Sequence, residues 1–440
     1  MKYNKIKKIF IEYFKNKKHK IYKSLSIVNK DKSNLMFINS GIIQFKKYFL
    51  GIKNPKYLRI ANIQKCIRIT GKSSDLKLVG YDNYHHTMFE MLGNWSFGDY
   101  SLKLAIKYAL ELIIKKYKIS KDNIYITIFK GNKFNNLVKD YESYNICKKL
   151  INKKNILFFG LKHNFWKIDN FNLCGPSVEI HIDIRNKKLK KKILGYKLIN
   201  KNNKYLIELW NIVNIKYLIK NNIIYKNNNK LSNNFIDTGM GLERLCMILQ
   251  KKKSTYDTDL FKPIIKKIEK ILLIKYKKNN KYDLVIKIVS DHIRSIFIIM
   301  LNDIKPNNKK HGYIIKKLIR RSLIYTYKYL NFKKPFLFKL INIVYKTFYK
   351  KKKNNKIKII KLYLKKEEKL FFLSLKKNIK IMKKLIYINY LKLNKKFIDK
   401  KFIYFLYETY GLFYFIIKKY IIKKKLILEI KKNINNNIEI

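Results

Sequence analysis

Arginine is rare in this chain of 440 residues, although positive charge is not: only seven of its 101 basic residues are Arg, and 28 acidic residues stand against the whole set. With Lys as the default cation, each of Arg59, Arg68, Arg185, Arg244, Arg294, Arg320 and Arg321 becomes a candidate site residue, because a guanidinium offers a planar fork of donors that an ammonium cannot copy. Glycine is scarce too. Six of the 14 glycines fall between Gly41 and Gly98, where backbone at positive φ or close to a ligand would need them. The four cysteines show no C-x-x-C spacing, which excludes a disulfide frame or a zinc ribbon and points to free thiols in a reducing compartment. No apolar run reaches membrane-spanning length, and the N-terminus has neither an h-region nor a cleavage site, so a soluble, cytoplasmic protein without a membrane partner is expected. No internal repeat is visible.

What is present in quantity is apolar surface and positive charge. Apolar residues make up 47% of the chain and aromatics 15%, which excludes disorder through low hydrophobicity and allows two or three domains. The formal net charge of +73 suits a polyanion such as nucleic acid. Lys, Asn, Ile, Tyr and Phe are residues of A/T-rich codons, so compositional drift is the larger cause of that magnitude; the sign still fits RNA.

Ile6, Ile9, Phe10, Tyr13 and Phe14 share one face of an amphipathic N-terminal helix. Strands are expected at "NIYITIF" (123–129) and "YLIELWNIVNIKYLI" (205–219), a helix at 101–117 and a polar loop over 220–234. Beyond about residue 255 the spacing is helical, broken by Pro306 with Asn307 and Asn308, and the last residues, 431–440, read as a frayed tail. The simplest division is a mixed α+β domain over 1–250 and a helical domain over 251–430.

Three stretches carry chemistry. Residues 63–93 read as strand, polar loop, strand. Arg68 ends the first strand; His85, Thr87 and Phe89 share one face of the second, with His86, Met88 and Glu90 on the other. An Arg fork beside a flat ring suits an adenosine phosphate, although an Arg on a strand is more often an ion-pair partner. In "FIDTGMGLERLCMIL" (235–249), Asp237 precedes Gly239 and Gly241, and a helix presents Glu243 and Arg244. Asp237 serves equally well as a helix N-cap, and most Gly-x-Gly pairs are simple turns. On the strand around residue 211, period two puts Asn211 and Val213 together with Glu208 opposite; Trp166 is either a third pocket wall or core packing.

Taken together, "LMFINSGIIQFKKYFLG", "QKCIRITGKSSDL", "HHTMFEMLGNWSFGDY", "NFW", "CGPSVEIHID", "ELWNIV" and "DTGMGLER" occur in an order that resembles the alanyl-tRNA synthetases, with "SDHIRS", "HGYIIKKLIRRS" and "LYETYG" extending the likeness through the helical part. The resemblance implies a class II catalytic domain, an antiparallel sheet flanked by helices, followed by an all-helical tRNA-binding domain. It implies that the chain is a ligase that activates L-alanine with ATP and Mg2+ and charges tRNA(Ala). By motif, Arg68 would meet the α-phosphate and Arg244 the far end of ATP; His86, Phe89, Trp166, Asn211 and Gly241 would complete the nucleotide contacts. Asp237 would pair with the alanine ammonium beside Gly239, and Trp166, Asn211 and Val213 would limit the side chain to a methyl. Asn308 and Glu408 fall at the positions that read the G·U pair of the acceptor stem, with Arg320 and Arg321 nearby.

The chain departs from the family pattern at Glu408, where Asp is usual, at Ser73 for His, at Ile42 for Met, at Asn214 and Lys216, and in lacking the motif 1 proline. Nothing after residue 411 resembles the family's editing or C-terminal domains, and only His292 and His311 lie beyond residue 181, so a minimal, monomeric form without the editing zinc site is expected. Two alternatives remain open. One is a synthetase-derived RNA-binding protein without catalysis; the other is an adenylating enzyme that serves a carrier protein.

Overall fold

The computed structural model describes residues 1–28, 35–71, 74–168, 172–201, 203–220, 223–226, 235–349, 355–393 and 397–428. Ser73 and the tail 431–440 lie outside them. The chain divides into two compact units, Met1–Lys266 and Lys267–Ile440.

The first unit is built on a sheet of β1 (Lys20–Ile21), β2 (Arg59–Ile67), β3 (Met88–Phe97), β4 (Ile124–Phe129), β5 (Ile156–Phe159), β6 (Phe165–Ile168), β7 (Leu173–Asp183), β8 (Leu206–Asn214), β9 (Tyr217–Lys220), β10 (Ile223–Lys226) and β11 (Phe235–Gly241). Its main path runs β1-β2-β3-β11-β8-β7-β4-β5, antiparallel except where β1 meets β2 and β4 meets β5. This is the antiparallel sheet with flanking helices that the sequence implied.

The central strands are covered on both faces. Period two sends Trp210 to one side, where it meets Phe10 and Phe14 of the N-terminal helix Tyr3–Asn16 at 6.5 and 6.4 Å between ring centroids. On the other side Ile38, Ile42, Phe45 and Phe49 pack against Trp95, Phe97, Val213 and Phe235.

Three expectations need correction. The strand expected over 205–219 divides at Ile215–Lys216 into β8 and β9. The segment expected as a polar loop contains β10, which pairs back on β9 with Ile224 opposite Ile219; its Ile-Ile-Tyr run fits a pleated edge better than a loop. The remainder of that loop, 221–222 and 227–234, lies outside the described residues. The second strand of the 63–93 pair begins at Met88, so His85 and His86 precede it.

The second unit is helical, with its main helices at Asn280–Leu301, Lys310–Leu330, Ile341–Phe348, Asn355–Ile386, Lys400–Tyr410 and Tyr414–Lys423. Pro306, Asn307 and Asn308 lie in the break between the first two. Among the described residues, no helix is long and apolar enough to cross a membrane.

Its most specific polar contact is made by Glu368, which is fully buried and accepts the backbone N–H groups of Phe336, Leu337 and Phe338 at the start of a short 3₁₀ turn. Removing the carboxylate would leave three buried donors without an acceptor. Glu368→Ala is expected to cost about 3 kcal/mol or more in urea unfolding followed by helical signal, and Glu368→Gln, which keeps one oxygen, distinctly less.

Candidate active site

A cavity of about 310 Å³ opens in the first unit. Arg68, His86, Phe89, Trp166, Asn211, Val213, Asp237, Gly239, Gly241 and Arg244 all line it, so every residue the sequence marked for nucleotide or amino acid is gathered at one place. The sheet does the gathering. Phe89 and Met91 on β3, Asn211 and Val213 on β8, and Asp237, Gly239 and Gly241 on β11 share one face through period two, with Asp237 opposite Trp95 on one side and Val213 on the other.

Each arginine is seated on an aromatic face. The Arg68 guanidinium lies 4.9 Å from the Phe89 ring centre, and its Nε donates to the carbonyl of Asn39 at 3.1 Å. Arg244, on the helix Leu242–Leu249, lies 4.9 Å from the Tyr84 ring and donates through Nη1 to the carbonyl of Glu208 at 2.7 Å and its carboxylate at 3.1 Å. Both Nη groups of Arg68, and Nε and Nη2 of Arg244, make no hydrogen bond among the described residues. Each fork is therefore oriented by one side and unspent on the other, which is what anion recognition needs.

Tyr84 is itself placed by Asp82, whose Oδ1 accepts the backbone N–H of Tyr84 and His85 at 3.1 and 3.0 Å, while Oδ2 meets His85 Nδ1. Burial pushes the Asp82 carboxyl up, but these bonds and the imidazole hold it below its ordinary range. His86 is nearly closed off: Nε2 pairs with Thr255 Oγ1 at 2.8 Å and the ring stacks on Phe261 at 4.8 Å. Because β3 starts after it, strand alternation does not govern His86. Its opposition to Phe89 in the sequence pattern disappears.

Asp237 belongs to β11, four residues before the helix, whose N-cap is Gly241; the N-cap reading of Asp237 is thereby excluded. Its Oδ1 accepts from Trp95 Nε1 at 2.6 Å. Burial pushes the carboxyl up to about 7, the Trp95 bond pulling modestly the other way.

Glu208 was placed opposite Asn211 and Val213 by strict alternation. The structure puts it in the same cavity, because the pairing of β7 with β8 shifts register between Ile180 and His181: Trp210 faces Ile180 and Glu208 faces His181, leaving Leu209 as the extra residue of a bulge. Burial raises the Glu208 carboxyl, but Arg244 and His181 outweigh it and the net shift is downward. Behind it, Glu179 accepts from Thr127 Oγ1 at 3.0 Å and lies 3.2 Å from His181 Nε2; burial pushes its carboxyl up. Asn211 reaches it weakly, Nδ2 at 3.4 Å, while its own buried Oδ1 has no partner.

Residues 5–439 match the family model described as tRNA synthetases class II (A). The chain belongs to that family. Among curated class II relatives, the alanine–tRNA ligase of Cytophaga hutchinsonii is 45% identical over 77% of this chain and 38% of the relative. Those of Bacteroides fragilis and Porphyromonas gingivalis are 39% and 37% identical over 91% and 92% of this chain, and 46% of each relative. The chain thus spans less than half the length of the curated relatives it matches. A solved pyrrolysyl-tRNA synthetase of Desulfitobacterium hafniense aligns at 11% identity over 58% of this chain and 71% of that one, with a TM-score of 0.31, and nothing rests on it.

In this class II chain a second cavity, of about 690 Å³, lies within the helical unit and is lined by Arg320, Arg321 and Glu408 together with Lys316, Lys317, Tyr313 and Tyr407. Asn308 is not in its lining, but its Oδ1 accepts from Lys316 Nζ at 2.8 Å, which ties it to the rim. Glu408 is exposed and makes no hydrogen bond or ion pair among the described residues. Arg320 is exposed. Arg321 is buried, with Nη1 donating to His292 Nε2 at 2.9 Å, while His292 Nδ1 donates to Asp291 Oδ2 at 2.9 Å. Burial holds that imidazole below its ordinary pKa, as an acceptor of the Arg321 bond must be neutral at Nε2.

Sequence reasoning missed Trp95, Tyr84 and Glu208. Trp95 is one of only three Trp in the chain, a residue that drift towards A/T-rich codons does not supply, and that scarcity could have marked it; Tyr84 is one of 34 tyrosines and carries no such signal, and the bulge that turns Glu208 inward leaves no mark in the sequence.

Asp237 gives a pH prediction. Its folded-state pKa lies above that of the unfolded chain, so its contribution to stability is fully present below about pH 4 and is lost as pH rises through about 7. Asp237→Asn removes that slope. In urea unfolding, the variant's stability relative to the unaltered chain is expected to rise between pH 4 and pH 8 by a few kcal/mol, at most ~4 by linkage.

Proposed function

We propose that the chain activates L-alanine with ATP to alanyl-adenylate and transfers the alanyl group to the 3′ end of tRNA(Ala). The observation that carries this is the single cavity holding two half-spent guanidinium groups, the buried carboxylate of Asp237 and a narrow wall of Trp166, Asn211 and Val213. In activation the alanine carboxylate attacks the α-phosphorus in line and pyrophosphate leaves. Arg68 stabilises the charge that builds on the α-phosphate oxygens, Arg244 holds the terminal phosphates, and Phe89 stacks on adenine. Asp237 takes the ammonium group and so points the substrate carboxylate at the nucleotide. The wall rejects larger side chains sterically, but a single small group is discriminated by only about 1–3 kcal/mol.

Among the described residues, no group of three or more His, Cys, Asp or Glu side chains is placed to hold a metal. Mg2+ suits the cavity in another way, since it characteristically takes one or two carboxylates and draws its other ligands from phosphate oxygens and water. Glu208 and Glu179 are the carboxylates that would serve. Bound there, the ion would neutralise phosphate charge.

The helical unit's cavity supplies the tRNA side. Lys316, Lys317 and Arg320 provide phosphate contacts, and the exposed carboxylate of Glu408 and the Nδ2 group of Asn308, whose Oδ1 is held by Lys316, read base edges. Against the reading of a catalytically silent RNA-binding protein stand the donors of Arg68 and Arg244, kept unspent in a chain where drift favours Lys.

Alanine-dependent exchange of labelled pyrophosphate into ATP tests the activation step. Arg68→Lys and Arg244→Lys should each lower it about 10- to 100-fold, the worth of a charge-assisted bond. Absence of exchange in the unaltered chain would leave only the RNA-binding alternative, and failure to charge tRNA(Ala) despite exchange would favour a carrier protein as acceptor. Glu408→Asp, which withdraws the carboxylate by one methylene, should change the ratio of charging between G·U and G·C acceptor stems without altering exchange.

A further inference from the structure

Trp95 is fully buried, and its ring meets Phe45 at 4.8 Å, so it has the look of a core residue. Two features set it apart. The first is that its six-membered ring lies where side chains would otherwise be. A Cβ on Gly41 would come within 2.6 Å of Cζ2, and one on Gly93 within 2.3 Å of Cη2. Two of only 14 glycines are committed to admitting the larger ring at a place where a smaller apolar side chain would fill the core equally well. The second is what the larger ring gains over a purely apolar one: an N–H that donates to Asp237 Oδ1 at 2.6 Å. Val213, the cross-strand neighbour of Asp237 on its other side, is apolar, and no charged side chain bears on its titration. Oδ2 makes no hydrogen bond among the described residues, and Asp237 lines the cavity.

We propose that Trp95 is a positioning residue whose indole N–H, held by the Gly41–Gly93 slot, fixes the Asp237 carboxylate in the orientation that receives the substrate's ammonium group. This rests on the reading that Asp237 takes the amine, and extends it to the residue that aims it. A carboxylate on a strand turns freely about its last torsion unless one oxygen is tethered. With Oδ1 tethered, Oδ2 presents its lone pairs in one direction, and the amine finds its acceptor already placed. The same bond favours the ionised form of a carboxyl that burial opposes, so it keeps the acceptor charged when the substrate arrives.

The test is Trp95→Phe in the whole chain, read by alanine-dependent pyrophosphate exchange over a range of pH. Phe fits the same slot and removes only the N–H and part of the ring. The KM for alanine should rise about tenfold or more, the worth of a hydrogen bond to a charged group, while the KM for ATP holds and kcat changes much less. The acid limb of kcat/KM should move to higher pH, because the bond that opposed protonation is gone. A merely structural role would lower the folded fraction and hence the apparent kcat, leaving the alanine KM and the acid limb where they were; that result overturns the proposal. If the unaltered chain shows no alanine-dependent exchange, the activation reading fails and takes the proposal with it. Should Trp95→Phe not fold, the indole N–H signal of Trp95 in the unaltered chain decides, identified by exchanging Trp166 and Trp210 for Phe one at a time. It should titrate with a midpoint near neutrality and lose that titration when alanine is added. A signal indifferent to both overturns the proposal.

Discussion

Donors and acceptors that stay half-satisfied in a folded protein are the constraint from which the rest of this structure follows. An unpaired charge taken from water costs several kcal/mol, and a chain left to itself resolves that cost by collapsing the charges onto each other. Here Arg68 follows the end of β2, Asp237 stands on β11 and Arg244 on the helix after it. Arg68 is tied to the Asn39 carbonyl, Arg244 to Glu208, and Asp237 to Trp95, each by one edge only. Aromatic faces beneath both guanidinium groups offset part of the cost without consuming an N–H. A sheet buried on both faces is what makes such an arrangement rigid enough to persist, since neither Phe10 and Phe14 on one side nor Phe45 and Phe49 on the other leaves room for the strands to shift.

Much of this was legible before the structure, and the reasons differ from element to element. The β2–loop–β3 pair could be read because β-branched and aromatic runs flank a Gly/Ser/Asp segment, and residues on one strand face necessarily share a cavity wall. The start of β3 could not, because His85–Thr87 alternate as a strand would. It is the Asx turn at Asp82, a contact of side chain with backbone, that ends the alternation there. Glu208 escaped for a similar reason. A bulge is a statement about two strands at once, and no pattern within β8 records that β7 has slipped past it. Trp95 escaped because its role depends on Gly41, fifty-four residues earlier in the chain.

Arginine's rarity proved informative in a broader way than the sequence suggested. If every Arg in a Lys-rich chain marks a ligand site, all seven should face cavities, and they do not. Arg59 forks onto Asp99, and Arg185 forks onto Asp183 while also donating to the Ile193 carbonyl at 2.6 Å. Arg294 is buried beside the Phe348 ring, and Arg321, although it lines the helical unit's cavity, is engaged with His292. What the settled arginines share with Arg68 and Arg244 is the need for several donors in fixed directions, or for a cation that lies flat on a ring. Lys meets neither need, having one strongly hydrated point of charge on a flexible stem.

Drift towards A/T-rich codons could therefore convert surface arginines at little cost, while the survivors divide between internal struts and the candidate cavity. The distinction between the two is the number of donors left over. Arg185 spends its fork on a carboxylate and carbonyls within the fold, whereas Arg68 spends Nε–H and keeps the four N–H donors of its two Nη groups. By that criterion the exposed Arg320, which lines the helical unit's cavity, stands with the second group: among the described residues it makes no hydrogen bond or ion pair, so its whole fork is left over. Such a fork matches two oxygens of a carboxylate or phosphate group at once, whereas Lys316 and Lys317 beside it supply charge without direction. On the RNA-binding reading proposed above, the net charge of +73 attracts the polyanion and these few directional donors fix where it rests.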